Sequence, residues 1–252
     1  IMKRVEKYAP VKALSLRQWC SAVFSYGVRN LRAGMDPTTV LRGAVIRPDV
    51  KHKTPLTKEQ IPQLSRQLAE CTLTPPTRIA LQLLMLLFVR PSELRKAEWT
   101  EVDLDGAEWR IPAARMKKRE LHVVPLPPQA VELLRELHDL TGKRKYLFPN
   151  VRRSDACMSE TTLNEAVRRL GYHVKFSAHG FRATATSLLH EFGYPEHLIE
   201  LSLAHKERNA TKAAYNQYQY FAERRDLLNT WAGMVGQWAA GGKVVPIKRV
   251  AA

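Results

Sequence analysis

Cysteine is scarce in this chain of 252 residues, and its three copies, Cys20, Cys71 and Cys157, lie far apart with no CxxC pair and one left over. That excludes a disulfide framework and a zinc ribbon, and fits a reducing cytosol. Long hydrophobic runs are missing too. The longest, around Ile79–Val89, is interrupted by Gln82 and is too short to span a bilayer. No signal peptide is visible, although the chain opens on Ile1 and an upstream part is expected to have been cut away. There is no internal repeat, no P-loop, no GxSxG elbow and no HExxH motif. His190, His197 and His205 lack a carboxylate or cysteine to complete a ligand set, so no metal and no cofactor is expected.

Acidic residues are outnumbered, 24 against 40 lysines and arginines, for a net charge of +16. Such an excess points to a polyanion, because each basic contact to phosphate releases condensed counterions. The basic residues are spread along the chain rather than gathered in one amphipathic helix, which argues against a membrane surface. A hydrophobic content of 45% supplies a sizeable core and excludes wholesale disorder.

The pattern predicts a mainly helical α+β chain with one small antiparallel sheet. Leu14–Asn30 reads as a helix whose buried face is Leu16, Trp19, Cys20, Val23, Phe24 and Gly27. Met35–Pro55, with its prolines and Lys51-His52-Lys53, reads as a linker. Thr57 and Gln60 form a capping-box pattern. Thr77–Val89 is an apolar helix, and Pro91 ends helical geometry at Arg90 and opens a short helix, Ser92–Ala97. Strands are expected at Glu98–Leu104, Glu108–Ile111 and Glu120–Leu126, with turns at Asp105-Gly106 and Met116-Lys117-Lys118. Further helices are expected at Pro128–Leu140, Ser159–Leu170, His179–Phe192, Pro195–Leu203, Thr211–Tyr218 and Phe221–Trp238, before a small basic tail.

Several residue types suggest phosphate chemistry. His179 and Arg182, in an His-x-x-Arg pattern, would share a helix face. A guanidinium offers a planar fork of donors that matches two phosphate oxygens, and an imidazole can donate to a third or exchange a proton. Arg90 stands at a helix break, where Glu93 is placed to hold its guanidinium. Lys117 occupies a predicted hairpin turn, with Lys118 as its rival for the same role. Tyr215 offers a phenol, ordinarily titrating near ~10, that surrounding arginines would push toward phenolate. Each feature also has an ordinary reading as a solvated pair, a turn lysine or a core tyrosine.

Taken together and in order, Arg90, Lys117, His179, Arg182, His205 and Tyr215 form the series Arg…Lys…His-x-x-Arg…His…Tyr. With the segments RPSELR, RMKKR…HVVPL, LFP, AHGFRATA, LAHKERN and AAYN, the chain resembles the tyrosine recombinase (phage integrase) family. The similarity is strongest to integrases of satellite phages and genomic islands, and covers roughly Thr57 to Trp231. The resemblance implies a tyrosine recombinase catalytic fold over residues 51–240. Before it would lie a C-terminal remnant of the core-binding (SAM-like) domain and a linker at 1–50, and after it a tail at 241–252. It implies a site-specific DNA strand transferase in which Tyr215 forms a 3′-phosphotyrosyl intermediate. Arg90, Arg182 and the histidines would stabilise charge on phosphorus, Lys117 would act as acid, His179 as base toward Tyr215, and Glu93 as support. The implied partners are double-stranded DNA attachment sites, copies of the chain assembling from monomers to a tetramer on DNA, a host DNA-bending protein and an excisionase. The implied location is the bacterial cytoplasm, at the nucleoid, in service of a prophage or genomic island. A DNA-binding regulator without cleavage and a type IB-like topoisomerase are the alternatives. The tail, apolar and basic over Val244–Val250, is expected to dock on a neighbouring subunit.

Overall fold

A computed structural model describes residues 1–47, 49, 54–117, 119–153, 155–172, 176–205 and 220–242. The chain divides into two compact units, Ile1–His52 and Lys53–Ala252.

In the first unit, α1 (Met2–Glu6) packs on α2 (Pro10–Arg29), which Pro10 opens. The predicted helix is present, but its predicted buried face is not. Trp19 and Val23 are 68% and 69% exposed, and Ala13 is the residue of α2 that is buried. Periodicity made the face apolar, yet its partner α1 has five residues against the twenty of α2, too few to cover it. Within the predicted linker, the described residues 36–41 form a hydrogen-bonded turn. The Asp36 carboxylate accepts from Ser21 Oγ at 2.5 Å and from both the backbone N and Oγ1 of Thr38 at 2.8 Å. These bonds pull its pKa below the ordinary value, Ser21 first, and they set up a single 3-10 turn at Thr39–Leu41.

The second unit is built around α4 (Pro75–Leu87), whose nine buried residues occupy every side, as befits a helix packed on all faces. Around it lie α6 (Pro128–Thr141), α7 (Thr162–Arg169), α8 (Gly180–Glu191) and α10 (Phe221–Ala239). The indole of Trp231 on α10 is wholly buried and donates to the Met85 carbonyl at 2.8 Å, tying the last helix to the central one. α3 (Ile61–Glu70) packs on α10. It follows a 3-10 turn, Lys58–Gln60, that carries the predicted capping box of Thr57 and Gln60. Pro62 falls in its first turn, where no N–H is needed.

The sheet runs β1 (Val102–Asp103), β2 (Glu108–Ile111), β3 (His122–Pro125), in that order and antiparallel. Val102 pairs with Trp109, and Ile111 with His122. The first predicted strand is shorter than expected because Trp99–Glu101 turns as a 3-10 helix. Between β1 and β2, Asp103 Oδ1 accepts from the backbone of Asp105 and Gly106 at 3.1 and 2.8 Å. A Cβ at Gly106 would stand 2.5 Å from the same carboxylate, so a side chain there would push Asp103 off its bonds to the turn. Ser159 does not cap α7; Thr161 is the residue before it, and Ser159 accepts from the Thr162 N–H. The predicted helix Thr211–Tyr218 and the residues of the tail from 243 on lie outside the described residues.

Candidate functional site

Two helix ends and one helix start converge in the second unit. α4 closes on Phe88 in the left-handed region at φ 57°, a conformation costing a bulky residue on the order of 1 kcal/mol. The ring is 1% exposed and meets Trp231 edge-on at 5.6 Å, and this packing holds the strained residue in place. Its carbonyl accepts from Arg182 Nη1 at 2.5 Å. The other end of that guanidinium, Nη2, donates to the carbonyl of Leu203, where α9 (Glu196–Ser202) closes. Arg182 thus bridges two helix C-termini, whose free carbonyls favour a cation. It is 5% exposed. Burial, and then Arg90, lower its pKa to about 10, which leaves it charged at neutral pH.

Arg182 rides on α8, which starts at Gly180, where a Cβ would sit 2.5 Å from the Phe176 ring. The sequence placed His179 on the same helix face as Arg182. It stands instead at the cap position before the helix, exposed, while Arg182 points inward. Its pKa is lowered by desolvation, then by Arg182 and Arg90, with Glu93 pulling the other way and His205 adding to the depression. His179 is therefore neutral at neutral pH.

Arg90 is extended, at ψ 144°, as the residue before Pro91 must be. It precedes α5 (Pro91–Arg95), and Glu93 reaches back to it twice: Oε1 lies 2.5 Å from Arg90 Nη1, and Oε2 accepts from its backbone N at 2.8 Å. Glu93 is 4% and the Arg90 side chain 22% exposed, so the pair is a part-buried, doubly bonded one rather than a surface pair. Behind it, Arg115 donates to the Glu93 carbonyl at 3.1 Å and pairs with Glu101, which also accepts from the Trp109 indole at 3.1 Å. His205 follows α9, exposed, with Nδ1 2.7 Å from Glu200 Oε2.

The structure brings Arg90, Glu93, His179, Arg182 and His205 into one electrostatic group. Lys117 is exposed in the turn before β3 and, among the described residues, is not part of that group. Tyr215 and Lys118 lie outside the described residues. Sequence reasoning missed His122 and Arg224. His122 is 5% exposed, its pKa pushed down to about 3 by burial and then by Arg224, Arg182 and Arg90. Strand alternation carried the signal, since His122 shares a face with the buried Val124 and Leu126. Arg224, 3% exposed, donates Nη2 to the Val123 carbonyl at 2.7 Å. Burial lowers its pKa to about 10.

Arg90 and Arg182 against the buried Glu93 carboxylate leave the locus positive, and both have donors suited to the nonbridging oxygens of a phosphate diester. Among the described residues no group of His, Cys, Asp and Glu is arranged to hold a metal ion. No described helix is long and apolar enough to cross a membrane.

Comparison with known proteins identifies the family and the fold. Residues 54–221 match the phage integrase family. The integrase of Enterobacteria phage P4 is 37% identical over 236 residues, covering 87% of this chain and 54% of that protein. Prophage integrase IntA of Escherichia coli K12 is 34% identical over 209 residues, 83% of this chain and 50% of that protein. The chain spans about half the length of these relatives. Among solved structures, a Tn1549 transposon integrase in complex with a circular intermediate DNA superposes with a TM-score of 0.66 at 15% identity, over 88% of this chain and 82% of that one. A lambda integrase dimer bound to a core site superposes with a TM-score of 0.61 at 16% identity, over 97% and 79%. The fold is that of the tyrosine recombinase catalytic domain, and the chain belongs to the phage integrase family.

Proposed function

We propose that this chain carries the strand-transfer site of a site-specific DNA recombinase. The observation that supports it is the convergence of Arg90 and Arg182, each held by its own acceptors, with His179 and His205 beside them. Tyr215 Oη attacks the scissile phosphorus and the P–O5′ bond breaks. The product is a 3′-phosphotyrosyl bond and a 5′-hydroxyl, whose proton comes from Lys117. Arg90, Arg182 and His205 bind the nonbridging oxygens where charge grows in the pentacoordinate transition state. His179, neutral at working pH, takes the phenol proton. Glu93 orients Arg90 and does no chemistry. A 5′-hydroxyl from a partner duplex then reverses the step and joins the new strand, with the bond energy kept in the phosphotyrosine.

Residues 51–240 are read as the catalytic domain, 1–50 as the end of a core-binding domain with its linker, and 241–252 as a tail that docks on a neighbouring subunit. The substrate is the pair of double-stranded attachment sites of a mobile element in the bacterial cytoplasm. A lambda integrase tetramer bound to a Holliday junction, with a TM-score of 0.62 and 17% identity over 82% of this chain and 62% of that one, supports a tetramer on DNA. A host DNA-bending protein and an excisionase would complete the assembly.

Covalent trapping tests the reading. Nicked duplexes from the ends of the surrounding element are incubated with wild type and Tyr215→Phe, then run on denaturing gels. A protein–DNA band that requires Tyr215 is expected. Salt-sensitive binding without any band from wild type would instead mark a regulator that does not cut.

A further inference from the structure

Residues 112–121 join β2 to β3 and carry Lys117, and the base of this connection is anchored. A 3-10 turn, Ala113–Arg115, is closed by the Arg115 N–H on the Pro112 carbonyl at 2.9 Å, and the Met116 N–H follows on the Ala113 carbonyl at 3.1 Å. Met116 is 6% exposed and part of the core, whereas Lys117, the next residue, is exposed. The Arg115 guanidinium forks between two acceptors. Nη1 donates to the Glu93 carbonyl at 3.1 Å, and Nη2 pairs with Glu101 Oε2. Each acceptor is itself fixed. The Glu101 side chain is 8% exposed and also receives the indole N–H of the buried Trp109, on β2, at 3.1 Å. Glu93 lies in α5, whose Arg95 Nη1 donates to the Met158 carbonyl at 3.0 Å.

We propose that Arg115 is a positioning residue: it holds the base of the β2–β3 connection against the Glu93 carbonyl and so sets Lys117 for the 5′-oxygen of the phosphate bound by Arg90. This rests on the strand-transfer reading of the site. The chain leaves little slack, since two residues of extended backbone span about 7 Å, and fixing Arg115 confines the Lys117 Cα within that radius. Glu93 becomes the shared reference, with its carboxylate turned to Arg90 and its carbonyl to Arg115. Shape and charge both call for arginine. A planar fork meets a carbonyl and a carboxylate at once, which a lysine's single ammonium cannot do in the same geometry. Glu101 balances the charge, so the link adds no net charge to the locus. Arg90 does not depend on it, because two bonds from the Glu93 side chain hold Arg90, and Arg95 holds the helix. Losing Arg115 therefore frees the acid and leaves the phosphate clamp in place.

The bridging atom of the substrate separates a misaimed acid from a general loss of structure. A 5′-oxygen needs a proton to leave, whereas a 5′-bridging sulfur, whose thiol titrates near ~8.5, does not. The double variant Arg115→Met, Glu101→Gln removes the link without leaving a buried carboxylate unpaired. On nicked duplex its single-turnover capture should fall about tenfold with oxygen and less than about twofold with sulfur. Equal losses on the two substrates, or no loss with oxygen, overturn the proposal. Should the double variant not fold, Arg115→Lys, which keeps a cation beside Glu101 and gives up the fork, is judged by the same two substrates and the same outcomes. Amide hydrogen exchange on the free chain reads the anchor apart from any cleavage. The Arg115 and Met116 amides should exchange roughly fivefold faster in the variant, while those around Trp231 in α10 keep their rates. Unchanged rates at 115 and 116, or an equal acceleration in α10, overturn the proposal. If wild type captures neither substrate, the strand-transfer reading fails, and exchange at 115 and 116 still judges the anchor by itself.

Discussion

The sharpest consequence of the buried His122 ring is a pH dependence of stability. Unfolded, His122 titrates near its ordinary value of 6.5; folded, it titrates at about 3, because burial and the three arginines oppose its charge. As pH falls below 6.5 the unfolded chain takes up a proton that the folded chain refuses. The contribution of His122 is thus full above that value and is lost as pH drops, down to about 3. Between pH 7 and pH 5 the loss is about 2 kcal/mol, for a single group whose folded pKa lies far below the window. With a urea slope of about 2–3 kcal/mol per molar, the midpoint should move down by roughly 0.7–1 M. Unfolding would be followed by the fluorescence of the buried Trp109 and Trp231, both in the second unit. Folding shifts the pKa values of other groups too: those of Asp36 and Glu59 are lowered, first by side-chain hydrogen bonds, and that of His179 by burial first. These shifts act equally in His122→Phe, so the difference between the two pH profiles isolates His122. Parallel midpoints in wild type and variant would refute the reasoning and place the ring in a solvated, chargeable site.

Arg182→Ala should lower single-turnover cleavage by about 10²–10³-fold, with a much smaller loss of DNA affinity; equal losses would reduce Arg182 to a phosphate clamp. Lys117→Ala should be rescued by sulfur at the 5′-bridging position, because a thiol, near ~8.5, leaves without the proton that an oxygen needs. Rescue of Lys118→Ala instead would move the acid to its neighbour. Glu93→Ala should cost on the order of 3 kcal/mol in urea unfolding, since it strands Arg90 without its buried partner; an unchanged midpoint would show the pair to be dispensable. The acid limb of the cleavage rate should have its midpoint below 6.5, the side to which burial, Arg182 and Arg90 move His179, and a midpoint above that value would remove His179 as the base.

Residue order carried much of this protein. Pro91 ends the helix before Arg90 wherever the chain folds, since its ring forbids helical geometry in the preceding residue. Thr57 and Gln60 close a capping box within one turn, and the alternation of His122, Val124 and Leu126 selects one sheet face. Glu93 lies within reach of Arg90 by local spacing alone. These are short-range consequences of side-chain type, and they are legible in sequence for that reason. What holds Arg182 is of another kind. Its acceptors are the main-chain carbonyls of Phe88 and Leu203, and a carbonyl has no residue-type signature. The Val123 carbonyl that receives Arg224 is equally silent in sequence. Burial follows the same division. Spacing makes Trp19 and Val23 part of an apolar stripe, but only the packed chain decides whether a stripe has a neighbour, and here it is exposed. The sequence determined which groups are available for phosphate chemistry. The tertiary structure decided which are aimed, and by what, because aim depends on carbonyls and helix ends brought together from distant parts of the chain.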